Sequence, residues 1–309
     1  MAKKMINQTH IEGALYQHDL TLKVTGENSK NPGTEFISGN IEIATDDAGI
    51  NIVPVHFTYV TATTSKGTAN ATFNVLKNII DRVYKTVMTD GAENATMLRI
   101  DSAIGLNEFY DRNDQFVSVK RNEGGFVHVT PTIAEDERTR NTFDCDIIIN
   151  NVTHIEGDED KGTTDKAVVK GVIFNFRNDV MPVEFSAINP KAMDYFEGLG
   201  ASNSNPIFTR IKGRQISESI VRRVEEESAF GEPSIKEYKS TKKDFVITWA
   251  MPEPYVWDDG STITARELTE ALAAREITLA EIKKRNDEYK ASQGKTPANT
   301  APAPGVFNF

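Results

Sequence analysis

The chain has 309 residues, enough for two domains, and its 39% hydrophobic content supports packed cores rather than global disorder. A net charge of −10 argues against a protein that coats nucleic acid over its whole surface, but it leaves room for a local basic groove. One cysteine, Cys145, excludes an internal disulfide framework and a cysteine-rich metal site. Neither the start, MAKKMINQTHIEG, nor any later segment carries an apolar run of signal-peptide or membrane-spanning length, so a soluble cytoplasmic protein is expected.

Strand patterns dominate the first part of the chain. GALYQHDLTLKVTG alternates Leu20, Leu22 and Val24 against polar neighbours, and EFISGNIEIAT and INIVPVHFTYVTA follow across the turn Asp46–Gly49. The period then changes. Phe73, Leu76, Ile80, Val83 and Val87 recur every three or four residues and predict one amphipathic helix. Strands resume at ATMLRIDSAIG and at QFVSVKR…GGFVHV. Three strands, a helix and two strands is the order of the OB-fold, a five-stranded Greek-key barrel, although other α+β folds share it.

The order then recurs. TFDCDIIINNVTHIEG, DKAVVKGVIFNFRN and VMPVEFSAI read as three strands, and NPKAMDYFEGLG reads as a helix. In that helix Asn189 is suited to the N-cap, Pro190 to the first position and Gly198 or Gly200 to the stop. PIFTRIKGRQIS and KDFVITWAM supply the last two strands, around a charged insertion at Glu218–Lys243. Each half also holds a strand glycine followed by a Pro-Val-x-Phe strand: Gly39 with Val53–Phe57, and Gly171 with Met181–Phe185. Glycine and proline inside strands mark close backbone approach and bulges, the devices of a strongly curved barrel.

Thr264 with Glu267, and Thr278 with Glu281, have capping-box spacing, so two short helices are expected, about Ala265–Arg275 and Leu279–Ala291. The expected fold is mainly β with some α: two tandem OB-like five-stranded barrels, a helical segment and a flexible tail. The expected boundaries are 8–138, 139–255 with an insertion near 218–243, 261–293 and 294–309.

Single strands of nucleic acid are held by aromatic faces on which bases stack, beside cations that track the phosphates. Phe109, Tyr110, Arg112, Phe116, Lys120 and Arg121, around the turn between the fourth and fifth strands, fit that recipe. Tyr110, Lys120 and Arg121 are expected to face outward and Phe126 inward. Phe174 and Phe176 share a strand face that reads as core, which leaves Arg177 to the groove. Arg210, Lys212 and Arg214 alternate on one face without intervening acids and read as a phosphate-tracking stripe. The tail ends in Val306, Phe307 and Phe309, a candidate docking peptide. The five histidines show no ligand spacing, and phosphate-loop, dinucleotide and HExxH patterns are absent from the sequence. No catalytic residue, cofactor or metal is expected.

At IGLNEFYDRNDQFVSVKRNEGGFV and VVKGVIFNFRNDVMPVEFSAINPKAMDYFEGL the chain resembles the tandem OB-fold proteins of large bacteriophages of Gram-positive hosts, over about Ile11–Met251. The resemblance implies a non-enzymatic single-stranded DNA-binding protein acting in phage DNA replication or recombination, in the host cytoplasm. Its partners would be single-stranded DNA and, through the tail, replication or recombination proteins, with self-association through the helical region and tail. The alternative is a non-enzymatic phage structural, assembly or protein-interaction module.

Overall fold

The computed structural model describes residues 5–157, 164–226, 234–257 and 262–293. The fold is mainly β. The first barrel uses β1 (Asn7–His18), β3 (Glu35–Ala44), β4 (Ile52–Thr61), β5 (Met97–Tyr110) and β6 (Phe116–Val129), with β2 (Thr21–Val24) laid along β3. Antiparallel pairs join β1 to β3, β3 to β4, β5 to β6 and β1 to β5. One parallel step, β4 to β6, closes the ring.

The second barrel repeats this with β7 (Asn141–Ile155), β8 (Lys166–Phe174), β9 (Val180–Ala187), β10 (Ile207–Glu226) and β11 (Ser234–Ala250), closed by the parallel pair Ser186 and Val246. Both rings have the OB strand order, with a helix after the third barrel strand.

The two glycines of the sequence motif lie where backbone segments nearly touch. A Cβ on Gly39 would meet the Asp19 carbonyl at 2.8 Å, and one on Gly171 would meet the Ile148 carbonyl at 2.3 Å. Each barrel has its own core. Ile11, Ile41, Val55, Phe57 and Leu76 lie in the first, and Phe143, Val169, Phe185, Phe196 and Ile211 in the second.

Several helix expectations change. The first helix is only Ala71–Ile80 (α1), followed by the short α2, Val87–Asp90. The helix ends because Arg82 turns left-handed (φ 59°). The Val83 amide then donates to the Asn78 carbonyl and the Arg82 amide to the Ile79 carbonyl, the paired bonds of a Schellman stop. Val83 consequently points to solvent. α3 (Pro190–Gly198) follows its reading: the Asn189 side chain accepts from the Lys191 amide, and Gly200 is left-handed.

The two short C-terminal helices are one, α4 (Ala265–Gln293). Thr264 and Glu267 form the capping box, with the Glu267 carboxylate accepting from the Thr264 amide at 2.8 Å. Thr278 does not cap. Its hydroxyl donates back to the Ala274 carbonyl, a bond that lets a threonine sit inside a continuous helix. The strand read at Gly13–Gly26 divides into β1 and β2. The charged insertion is the continuation of β10 and β11, paired as far as Glu226 and Ser234.

The barrels are joined through their sheets. β1 pairs with β7 from Asn7 opposite Cys145 to Ile11 opposite Asn141, which makes one 11-stranded sheet. The Asn7 amide donates to the carbonyls of Ile104 in one barrel and Phe174 in the other. Asn122 and Gln215 exchange side-chain amide bonds at 2.8 and 2.9 Å, both buried. Ile104 of β5 belongs to the core of the second barrel, and Leu106 packs against it. The outer half of the β5–β6 hairpin is thus an arm of the first barrel lying on the second. Replacing Gln215 with Leu strands the Asn122 carbonyl in a buried site. We expect a loss of about 2 kcal/mol in urea unfolding, partly restored in the Asn122→Leu, Gln215→Leu double variant.

Candidate nucleic-acid interface

At the tip of the β5–β6 arm, Tyr110 and Phe116 lie opposite each other with rings 5.5 Å apart, edge to face. Phe109 and Phe116 are exposed, Tyr110 is half-buried and Arg112 stands exposed in the turn. The Asp111 carboxylate organises that turn by accepting from the Asn113 and Gln115 amides, and Asp114 takes the left-handed position. Strand alternation puts Tyr110, Glu108, Leu106, Phe116 and Lys120 on the arm face that meets the second barrel and α4, and puts Phe109, Val119 and Arg121 on the other. Asn286 and Lys290 of α4 reach the Asp114 carboxylate at 3.0 and 2.5 Å.

Lys120 does not face outward. Its ammonium sits 4.6 Å from the Phe185 ring centre and 4.5 Å from that of Phe245, and it donates to the Glu184 carbonyl. Burial pushes its pKa down to about 8, against the pull of Asp244 and Glu184. Lys120 is therefore a contact between the barrels, a role set by residues more than 60 positions away. Arg121 is half-buried and donates to Glu123 at 2.6 Å.

Phe126 is also reversed: it is 69% exposed. The pairing of β5 with β6 slips between Asp101 and Ala103, where Gly124 and Gly125 (φ 67° and 112°) form a bulge. One extra residue inverts the alternation, so Val127 points inward. Phe174 is core but Phe176 is 76% exposed, because β8 ends at Phe174. Asn175 accepts from the Arg177 and Asp179 amides, Asn178 is left-handed, and this turn projects Phe176. The Arg177 guanidinium lies over the Phe176 ring at 5.1 Å.

The basic stripe on β10 does have acid beside it, supplied by β7. Asp144 takes two bonds of 2.7 Å from Arg210 and lies 3.4 Å from the Lys212 ammonium. Burial alone would raise the Asp144 pKa, and these cations outweigh it and lower it. Arg214 is half-buried further along the strand. Lys212 also stands over Trp249 on β11 at 5.3 Å, so an exposed indole adjoins the stripe.

Sequence reading missed Trp249 and a second pair, Phe36 on β3 and Tyr59 on β4, whose rings are 4.6 Å apart. These strands are the second and third of the barrel, the face OB-folds use for oligonucleotides. Alternation gives Phe36 the face opposite buried Ile37, but it puts Tyr59 on the core face with Phe57; the register slip between Ile37 and Gly39 turns Tyr59 outward, and no period announces that slip. Val306, Phe307 and Phe309 lie outside the described residues. Among the described residues, no helix is long and apolar enough to cross a membrane.

The YorF family profile matches residues 6–285. The chain belongs to the YorF family. No curated protein matches the chain. Among solved structures, this YorF-family chain is similar to a deletion mutant of the single-stranded DNA-binding protein from Thermus aquaticus. The identity is 11% over 82% of this chain and 97% of that chain, with a TM-score of 0.46. It is also similar to a Replication Protein A heterotrimer bound to single-stranded DNA, at 9% identity over 88% of this chain and 70% of that chain, with a TM-score of 0.24.

Proposed function

We propose that this protein binds single-stranded DNA without catalysing a reaction, and that it serves phage DNA replication or recombination. The observation that carries the reading is the set of exposed or half-buried aromatics beside cations on both OB-order barrels. Phe109, Tyr110 and Phe116 stand with Arg112 on the first, and Trp249 with Lys212 and Phe176 with Arg177 on the second. Such rings accept any base, and the cations meet phosphates. Arg121, Arg210 and Arg214 are proposed as secondary phosphate contacts, with Lys120 as the brace that holds the arm. The binding units are proposed as residues 8–138 and 139–255, with 261–293 and the tail ending in Val306, Phe307 and Phe309 serving partner docking. The sequence resemblance to phage single-strand-binding proteins supports the biological setting.

The test is a titration of a fluorescent dT oligomer at low salt. Submicromolar binding is expected, weakening with salt by about 0.7 in log–log slope per phosphate neutralised, with little affinity for duplex. Absence of binding at micromolar protein removes the reading. Joint replacement of Phe109, Tyr110 and Arg112 with Ala should weaken binding about tenfold or more, since one stacked base contributes about 1–3 kcal/mol. Unchanged affinity would take the arm tip out of the interface.

A further inference from the structure

A cleft of about 1560 Å³ opens between the two barrels. Its floor is the β1 segment that carries the seam, including Asn7 and Gln8, and Ala271, Ala274 and Arg275 of α4 form one wall. Arg275 holds that wall in place: it donates to Glu108 on β5 and, at 3.5 Å, to the Val180 carbonyl on β9. Phe126 from the first barrel and Phe176 from the second both line this cleft, and they are the most exposed phenylalanines among the described residues.

A ring left this open forgoes about 2 kcal/mol of burial. Here two are presented by dedicated backbone devices, the glycine bulge before Phe126 and the asparagine turn around Phe176. The cleft is not basic. Three of its carboxylates are matched by cations, Glu123 by Arg121 at 2.6 Å, Glu108 by Arg275 and Asp144 by Arg210 at 2.7 Å, and Asp101 is hydrogen-bonded to the His10 ring at 2.8 Å. Asp179 adds an acceptor at the rim, where it takes a bond from the Asn175 amide. A phosphate chain gains little inside such walls. A flat, uncharged group with hydrogen-bonding edges gains two aromatic faces and the amides of Gln8 and Asn178.

We propose that this cleft is a base-accepting site: unstacked bases of a single strand enter it beneath α4 and stack on Phe126 and Phe176, while the phosphates stay at its solvent-exposed edge beside Arg177, a lining residue. The strand then crosses from one barrel to the other through the cleft rather than over the outer sheet faces. The proposal rests on the reading of the protein as a single-strand binder.

The test uses the full chain. A dT oligomer carrying 5-iodo-deoxyuridine is photo-crosslinked to the wild-type protein and the attached peptides are identified by mass spectrometry. Crosslinks at Phe126 and Phe176 are expected. In titrations, Phe126→Ala with Phe176→Ala should lose tenfold or more in affinity, while Val83→Ala, an exposed apolar site away from the cleft, should lose nothing. Both rings are exposed, so the unfolding midpoint of the double variant should match the wild type. Wild-type binding with unchanged affinity in the double variant, or crosslinks confined to other segments, overturns the cleft site and leaves the general reading standing. A wild-type protein that binds no oligomer overturns both.

Discussion

Replacing Gly171 with Ala is expected to destabilise the protein by about 3 kcal/mol or more, at the upper end of what overpacking costs. The added Cβ would stand 2.3 Å from the Ile148 carbonyl oxygen and 2.9 Å from its carbon, both backbone atoms of β7. Side chains can rotate away from a new methyl, but a paired strand cannot. Gly171 pairs with Val183 on β9, and its neighbour on β7 is itself bonded to β10, so relief on one side strains the other. Gly198→Ala makes the comparison: no atom lies within 4 Å of where its methyl would stand, and alanine suits a helix end as well as glycine does, so its effect should stay within about 1 kcal/mol. Urea unfolding of the two variants measures the contrast. Equal midpoints would show that the barrel wall yields more easily than its pairing implies.

Lys120→Met is expected to change how stability depends on pH. The folded pKa of about 8 lies below the ordinary lysine value of 10.5, so the folded chain releases this proton before the unfolded chain does. Below pH 8 the ammonium is charged in both states, and its burial costs about 3 kcal/mol. Between about 8 and 10.5 the unfolded state binds more protons, so the wild type gains stability as pH rises. The methionine variant lacks this group. Its stability relative to wild type should therefore be greatest near pH 7 and fall steadily toward pH 10. The two aromatic rings around the ammonium favour its charged form and set how early the fall begins. Urea midpoints at pH 7 and pH 10 decide the matter, and a gap of constant size would mean that the ammonium is solvated.

Much of the fold was legible because it rests on local chemistry. Asn189 before Pro190, Thr264 before Glu267, and the repeated glycine with Pro-Val-x-Phe each act within a few residues, and each has its expected structural role. The site was legible only in its ingredients. Phe126 was misplaced because a single bulge residue shifts every later side chain to the opposite face, and two glycines announce a bulge without giving its direction. Phe176 was misplaced because β8 ends two residues before it. Lys120 owes its position to Phe185 and Phe245, and Asp144 reaches Arg210 from a strand 66 residues earlier. Periodicity reads one strand at a time, whereas these contacts are fixed by which strands become neighbours.

The shared sheet has a consequence for dissecting the molecule. Each of the two halves completes the other's hydrogen bonding along Asn7–Ile11 and Asn141–Cys145, and Ile104 fills a core that its own half does not own. A cut near residue 139 would leave two raw strand edges and an apolar arm without its bed. Such halves should be poorly behaved alone and should reassemble when mixed, making this chain a natural split protein whose reconstitution reports on the seam.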